Sequence, residues 1–375
     1  MHDLRHRLER AGAAAGRAGR ALAGPLRTRY PRFLFGLPLP RGEIPIFNYH
    51  EVTRDELEPD LAYLRENGYA TLGLDEYVQA AQSRERRRAV LLTFDDAWSS
   101  FWSVAFPLLR EYGMRAVLFV PTYWVDGHGP PELFMTWEQV RECARSGHVD
   151  VQSHAHRHAL VHATGLLAGF ATPASLASTH FFNWPMRDGG GEELGPPPPG
   201  TPVHHAVPLL SARRRYIESA VVVRECRRLA AVLGESAFAR PDAMRKLYAR
   251  HAAVSARYPG RWATGEELER EQVREFEASR DRFAEALGYA PRYFAFPWRL
   301  GTDRALELAR DFGMAAVFGV GLDFRRARRP RLPLPVYGRL RGDWLRCLPG
   351  KGRVHALPLL ASRLRRVAQP ESLAH

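Results

Sequence analysis

Two adjacent carboxylates, Asp95 and Asp96, close the apolar run Ala89-Val90-Leu91-Leu92-Thr93-Phe94. About sixty residues later the chain reads Ser153-His154-Ala155-His156-Arg157-His158. Successive residues at the end of a strand point in different directions, so the two carboxylates can take different work. One suits a metal ion, the other the proton of a water molecule. His154 and His158, four residues apart, meet on one ion if the segment turns helically. One carboxylate with two imidazoles leaves coordination positions open for water and substrate, as catalytic rather than structural sites do. The chemistry expected is metal-assisted hydrolysis. The plainer alternative is a helix cap beside a solvated acid, with the histidines in a polar loop. Zinc is the first choice for such a donor set, and cobalt, manganese or nickel also suits it. His156 and His162 are expected outside the ligand set.

These stretches resemble the polysaccharide deacetylases of carbohydrate esterase family 4, the NodB homology domain. Thr93-Phe94-Asp95-Asp96 looks like the family's first motif and Ser153 to His158 like its second. Phe294-Ala295-Phe296-Pro297-Trp298 is similar to the third, and Pro45 to Val52 to the opening strand of a subgroup that begins P-x-x-x-Y-H. The resemblance spans roughly residues 43–162 and 264–340. It implies Asp95 as general base and Asp96, His154 and His158 as metal ligands. It implies Pro297 and Trp298 in the wall of the substrate groove, and an N- or O-acyl group on a sugar as the bond cleaved. No late-motif histidine is evident, because His355 falls in a basic tail. His50, which ends the first strand, is therefore the expected acid for the leaving amine; a histidine hydrogen-bonded inside the barrel mouth is the alternative. Many relatives carry Arg at the position of Ala295 to pair with the base. That charge is missing here, and Arg299 is the expected replacement. Trp98 and Trp298 are read as sugar-stacking faces or as core, and a backbone N–H near Trp98 or Trp124 as an oxyanion donor.

The elements that must position these residues alternate. Strands are expected at Ile44–Tyr49, Val90–Phe94, Ala116–Val120, Val149–Gln152, Tyr293–Phe296 and Ala315–Phe318. Helices are expected at Glu56–Asn67, Asp75–Ala81 with Asp75 as cap, Ser103–Tyr112, Thr136–Ala144, Glu266–Leu287 and Asp303–Phe312. Such alternation indicates parallel strands wrapped by helices, and the resemblance makes this an α/β fold, a distorted (β/α) barrel of the NodB type. Its chemistry residues fall at the C-terminal ends of strands, where barrels place their sites. The barrel is assigned to residues 41–163 and 264–345. Residues 164–263 are a large, partly helical insertion or lid. Its first part, through Gly189-Gly190-Gly191 and Pro196–Pro199, reads as a loop without a fixed core, followed by helices over Ala212–Leu233 and Asp242–Ser255.

Arginine supplies nearly all the positive charge, since Lys246 and Lys351 are the only lysines and the net charge is +13. Residues 1–40, a basic N-terminal segment, hold +6, and residues 325–375, which include a basic tail from 346, hold +11, leaving −4 between them. Codon bias explains this plainly. The sharper expectation is that both ends lie on anionic lipid, with Leu357–Val367 as a short amphipathic helix. Nucleic acid is not an expected partner, because aromatics do not interleave with the basic clusters. Three distant cysteines, odd in number, argue against a disulfide framework. No apolar run spans a membrane, and the Arg- and Ala-rich start lacks a secretory signal's apolar stretch. The expected place is the cytoplasm, peripheral at the inner membrane face, with a lipid- or nucleotide-linked acylated sugar as partner. A non-catalytic carbohydrate-binding relative and a membrane-docked component of a polysaccharide assembly system are the other classes.

Overall fold

The computed structural model describes Phe33 and residues 37–39, 43–83, 87–188, 192–319 and 333–355. The N-terminal basic segment other than Phe33 and 37–39, and the expected amphipathic helix at Leu357–Val367, lie outside the described residues. In chain order the strands are β1 (Ile46–Tyr49), β2 (Ala70–Thr71), β3 (Ala89–Asp95), β4 (Ala116–Val120), β5 (Val149–Ser153), β6 (Leu160–Phe170), β7 (Arg187–Asp188) and β8 (Glu192–Glu193). They continue as β9 (Pro202–Pro208), β10 (Tyr216–Ile217), β11 (Arg261–Trp262), β12 (Tyr293–Ala295), β13 (Ala316–Phe318), β14 (Val336–Tyr337) and β15 (Leu340–Arg341). The chain divides into two compact units. One takes the residues up to Ala155, Ser279–Ala295 and those from Gly313; the other takes His156–Ala278 and Phe296–Phe312.

The first unit is built on one parallel sheet in the order β14-β13-β12-β5-β4-β3-β1-β15, with β2 beside β3. Strands β14 and β15 stand at opposite ends of that order, yet only Gly338 and Arg339 separate them in the chain. Three residue steps reach at most about 11 Å, so the two ends of the sheet must come round to each other. The sheet therefore curls into a distorted (β/α) barrel, as expected.

Strand parity sorts the side chains. Val90, Leu92 and Phe94 join Leu118, Val120 and the helix-facing residues Leu57, Leu61 and Leu109 in one buried cluster. Ala89 and Leu91 join Ile46, Val117, Phe119, Ala295 and Phe318 in another, which fills the barrel. Period-two alternation puts Thr93 and Asp95 on that interior side. A strand buried on both faces reads as a continuous apolar run, and β3 is buried at all seven positions.

Two helix starts follow the sequence rules. Thr53 with Glu56, and Thr136 with Gln139, form reciprocal capping boxes. Two expectations fail. Asp75 is not a cap but lies in the first turn of the helix Leu74–Ser83, because the Leu74 N–H donates to the Asp150 carboxylate at 2.7 Å. The helix expected from Ser103 opens earlier, as a wide turn over Phe101–Ala105 that leads into Phe106–Glu111.

The second unit corrects the expectation of a coreless loop. β6 is an eleven-residue strand paired antiparallel with β9, and its small residues make that close pairing possible. Phe170 at its end buries against Val222, Cys226, Ala230 and Leu247. The helix expected from Ala212 starts only at Ala220, after β10 has paired with β11. The second helix runs over Pro241–Arg257. Among the described residues the three cysteines are buried, and no helix is long and apolar enough to cross a membrane.

Candidate active site

Parallel strands align their C-terminal ends on one rim. Tyr49 pairs with Phe94, which brings His50 level with Asp95. Val120 and Phe294 both pair with Ser153, which brings Ala295 level with His154. At the end of β3 the chain enters the left-handed region, with φ 74° at Asp96 and 52° at Ala97. Non-glycine residues pay for that conformation, and such strain concentrates at functional sites. Here it turns Asp96 away from the interior side on which Asp95 lies.

Asp95 is 3% exposed and accepts two hydrogen bonds from Arg339, Nη1 to Oδ1 at 2.6 Å and Nη2 to Oδ2 at 2.8 Å. Arg339, itself 1% exposed, also donates to Asn48 Oδ1 at 2.7 Å, and its guanidinium lies 5.5 Å from the centre of the Phe119 ring. Burial alone would raise the Asp95 pKa; the Arg339 charge and hydrogen bonds, with His154 and His50, outweigh it and hold the carboxyl below its usual range. His50 is half-exposed and its Nε2 lies 4.0 Å from Asp95 Oδ2. Arg339 thus takes the place expected of Arg299. Its motif-free surroundings and its basic neighbours in sequence hid it. The one available signal was an arginine set among Val336, Tyr337 and Leu340, in a stretch otherwise fit for buried strands.

Asp96 Oδ2 accepts the Trp98 indole N–H at 3.1 Å. Trp98 is 2% exposed and stacked on Phe134, so it orients Asp96 and does not present a face to a sugar. Trp124 is not an oxyanion donor either, since its N–H donates to the Pro121 carbonyl at 3.2 Å. His154 is 1% exposed. Its Nδ1 lies 2.8 Å from the Ala295 carbonyl, which can only accept, so Nδ1 carries the proton and Nε2 the lone pair. That Nε2 lies 3.4 Å from Asp96 Oδ1. Two ligands about 2.1 Å from a tetrahedral ion are about 3.4 Å apart. A ring whose far nitrogen is fixed by a carbonyl is also the usual support of a metal-binding histidine. Asp96 and His154 therefore fit a divalent ion. Burial would lower the His154 pKa, but the Asp95 and Asp96 carboxylates outweigh it and raise it.

The stretch after His154 does not turn helically, as expected from the spacing. Ala155 and His158 have φ of 67° and 48°. His158 belongs to the second unit, where its ring centre lies 4.1 Å from that of Trp298 and 4.3 Å from that of Phe182. Trp298 in turn donates its indole N–H to Asn183 at 3.2 Å, beside buried Pro297 and half-buried Arg299. His162 is buried on β6 against His204.

A buried ion pair holds the His158 loop. Arg157 Nε donates to Glu275 Oε1 at 2.6 Å, and Glu275 Oε2 accepts the backbone N–H groups of His156 and Arg157 at 3.0 and 2.8 Å. Glu275→Ala leaves Arg157 paired with Glu271 at 2.7 Å, but it removes the acceptor of Arg157 Nε and of two backbone N–H groups, and is expected to cost about 1–3 kcal/mol in chemical denaturation. A loss under about 1 kcal/mol, the scale of exposed pairs, would show that the pair does not hold the loop.

A curled parallel barrel with a carboxylate pair and histidines on its C-terminal rim defines the NodB class of hydrolase fold. Residues 82–169 match the family described as polysaccharide deacetylase. The chain is 34% identical over 135 residues to the poly-beta-1,6-N-acetyl-D-glucosamine N-deacetylase of Escherichia coli (strain K12), across 32% of this chain and 20% of that protein. It is 30% identical over 126 residues to YxkH of Bacillus subtilis (strain 168), across 31% of this chain and 43% of that protein. The chain thus spans less than half the length of both relatives. Among solved structures, a de-N-acetylase from Aggregatibacter actinomycetemcomitans superposes with a TM-score of 0.51 at 18% identity, covering 84% of this chain and 99% of that one, and shares the fold.

Proposed function

We propose that this chain is a metal-dependent deacetylase that removes the acetyl group from an amino sugar of a polysaccharide. The observation that carries the reading is the Asp95 carboxylate, held as an anion by buried Arg339, with His50 4.0 Å from it and Asp96 next in the chain facing His154. A protein that only binds sugar has no use for a buried base clamped beside a half-exposed imidazole. The activity printed for the Escherichia coli relative supports an N-acetylglucosamine polymer as the first substrate to try.

Asp96 and His154 are two ligands of the ion, and His158 is the third by the family resemblance and its imidazole chemistry. When bound, a divalent ion polarises the acyl oxygen and lowers the pKa of water. Asp95 accepts the proton of the attacking water, and Arg339 keeps that carboxylate ionised until it does. His50, on the solvent side of Asp95, donates a proton to the sugar nitrogen as the C–N bond breaks, so that acetate and a free amine leave.

The test is acetate release from acetylated β-1,6-glucosamine oligomers together with metal content. Asp96→Ala and His154→Ala are each expected to lose one equivalent of metal and all measurable release. Release that survives chelation and both substitutions would end the reading. A second measurement isolates His50. His50→Ala is expected to slow amide substrates by about 100-fold, the lower range for acid–base groups, and to spare aryl acetates, whose leaving group needs no proton. Equal losses on both would make His50 structural.

A further inference from the structure

Within the second unit, far along the chain from the residues above, three donor groups converge. His204 on β9, Glu218 just after β10, and His251 on the helix Pro241–Arg257 offer ligand atoms that all lie within 4.8 Å of one another. Both Nε2 atoms point at one oxygen: Glu218 Oε2 is 3.0 Å from His204 and 2.9 Å from His251. The other oxygen is committed, since Oε1 accepts the Ser219 N–H at 2.8 Å. The side chains of His204, Glu218 and His251 are 0%, 4% and 14% exposed. Burial raises the Glu218 pKa, but the His204, His251 and Ser219 hydrogen bonds outweigh it and hold the carboxyl near about 2, so the group is an anion. Among the described residues His204 Nδ1 is buried with no hydrogen-bond partner.

We propose that His204, Glu218 and His251 bind a second divalent ion of the zinc class, one that staples the insertion and takes no part in hydrolysis. Two imidazoles and a carboxylate are zinc's preferred mixed donor set. Ligand atoms about 2.1 Å from a tetrahedral ion lie about 3.4 Å apart, so each ring need retreat from Glu218 by only about 0.4–0.5 Å. A cavity of about 10 Å³, room for the centre of one water molecule, adjoins Glu218 on the side lined by His162, Tyr216 and Arg187. The ion would tie three elements with no other covalent or metal link among the described residues: a strand, the turn before the helix Ala220–Leu233, and the helix that follows.

This inference does not depend on the hydrolytic reading, and metal counting separates the two. The purified full chain is stripped with a chelator, reloaded with zinc and desalted, and its metal is counted. Two equivalents are expected in the wild type. His251→Gln and Glu218→Gln are each expected to hold one and to keep acetate release. Asp96→Ala is expected to hold the other one and lose release. His251→Gln is the decisive variant, because its amide can still donate to Glu218, so a hydrogen-bonded triad without metal would survive it unchanged. Zinc should also raise the unfolding temperature of Asp96→Ala but not of the double variant with His251→Gln. A single equivalent in the wild type that His251→Gln retains, or two equivalents in His251→Gln and Glu218→Gln, would overturn the second site.

Discussion

Asp95→Asn is expected to keep the fold and the metal while acetate release falls by about 100- to 10,000-fold, the range of a lost general base. The asparagine oxygen can still accept from Arg339, whose Nη atoms now reach the carboxylate at 2.6 and 2.8 Å. The substitution therefore removes the proton-accepting oxygen with little change of packing. KM should move much less than kcat, since the loss arises in the transition state. Metal content is the companion measurement. If metal is lost together with activity, Asp95 is a ligand and the roles of the two carboxylates are exchanged.

Arg339→Met carries the second large effect, on both pH profile and stability. In the wild type the folded Asp95 pKa lies below its ordinary 3.8. A depressed carboxyl contributes stability that is present above the unfolded pKa and is lost as pH falls through the folded one. The base form is likewise present at every pH above that value. Without Arg339 burial dominates, so the Asp95 pKa rises above 3.8 and the acid limb of kcat/KM moves to higher pH. A buried carboxylate left without its partner also costs about 3–5 kcal/mol in denaturation. Arg339→Lys should recover part of the stability and place the acid limb between the two. An acid limb that does not move in Arg339→Met would mean that Arg339 supports the seam of the barrel and leaves the base untouched.

The legible parts of this chain are those whose physics is local. β3 announced itself as an unbroken apolar run because both its faces are covered. Thr136 marked a helix start because a capping box is closed within four residues. Strand parity and register follow from such runs, so Asp95, Asp96, His154 and His50 were identifiable as neighbours on one rim. The insertion was illegible for the converse reason. β6 carries Gly165, Gly169, Ala163 and Ala168, which look like a linker until β9 pairs with the strand and Phe170 finds Leu247.

The amino-acid sequence alone determined the class of fold, the carboxylate pair and the histidines, because spacing and residue type carry those. Only the tertiary structure decided which arginine serves the base. Arg339 lies 244 positions beyond Asp95, inside the stretch assigned to the barrel but counted with the basic C-terminal end. It reaches Asp95 because β14 and β15 close the sheet on either side of it, a long-range event with no local signature. The same holds for Trp98, whose burial against Phe134 turns an expected sugar platform into a support for Asp96. It holds also for His204, Glu218 and His251, which stand in the chain at 14 and 33 residues' spacing and meet only after β9 and the helix Pro241–Arg257 have packed.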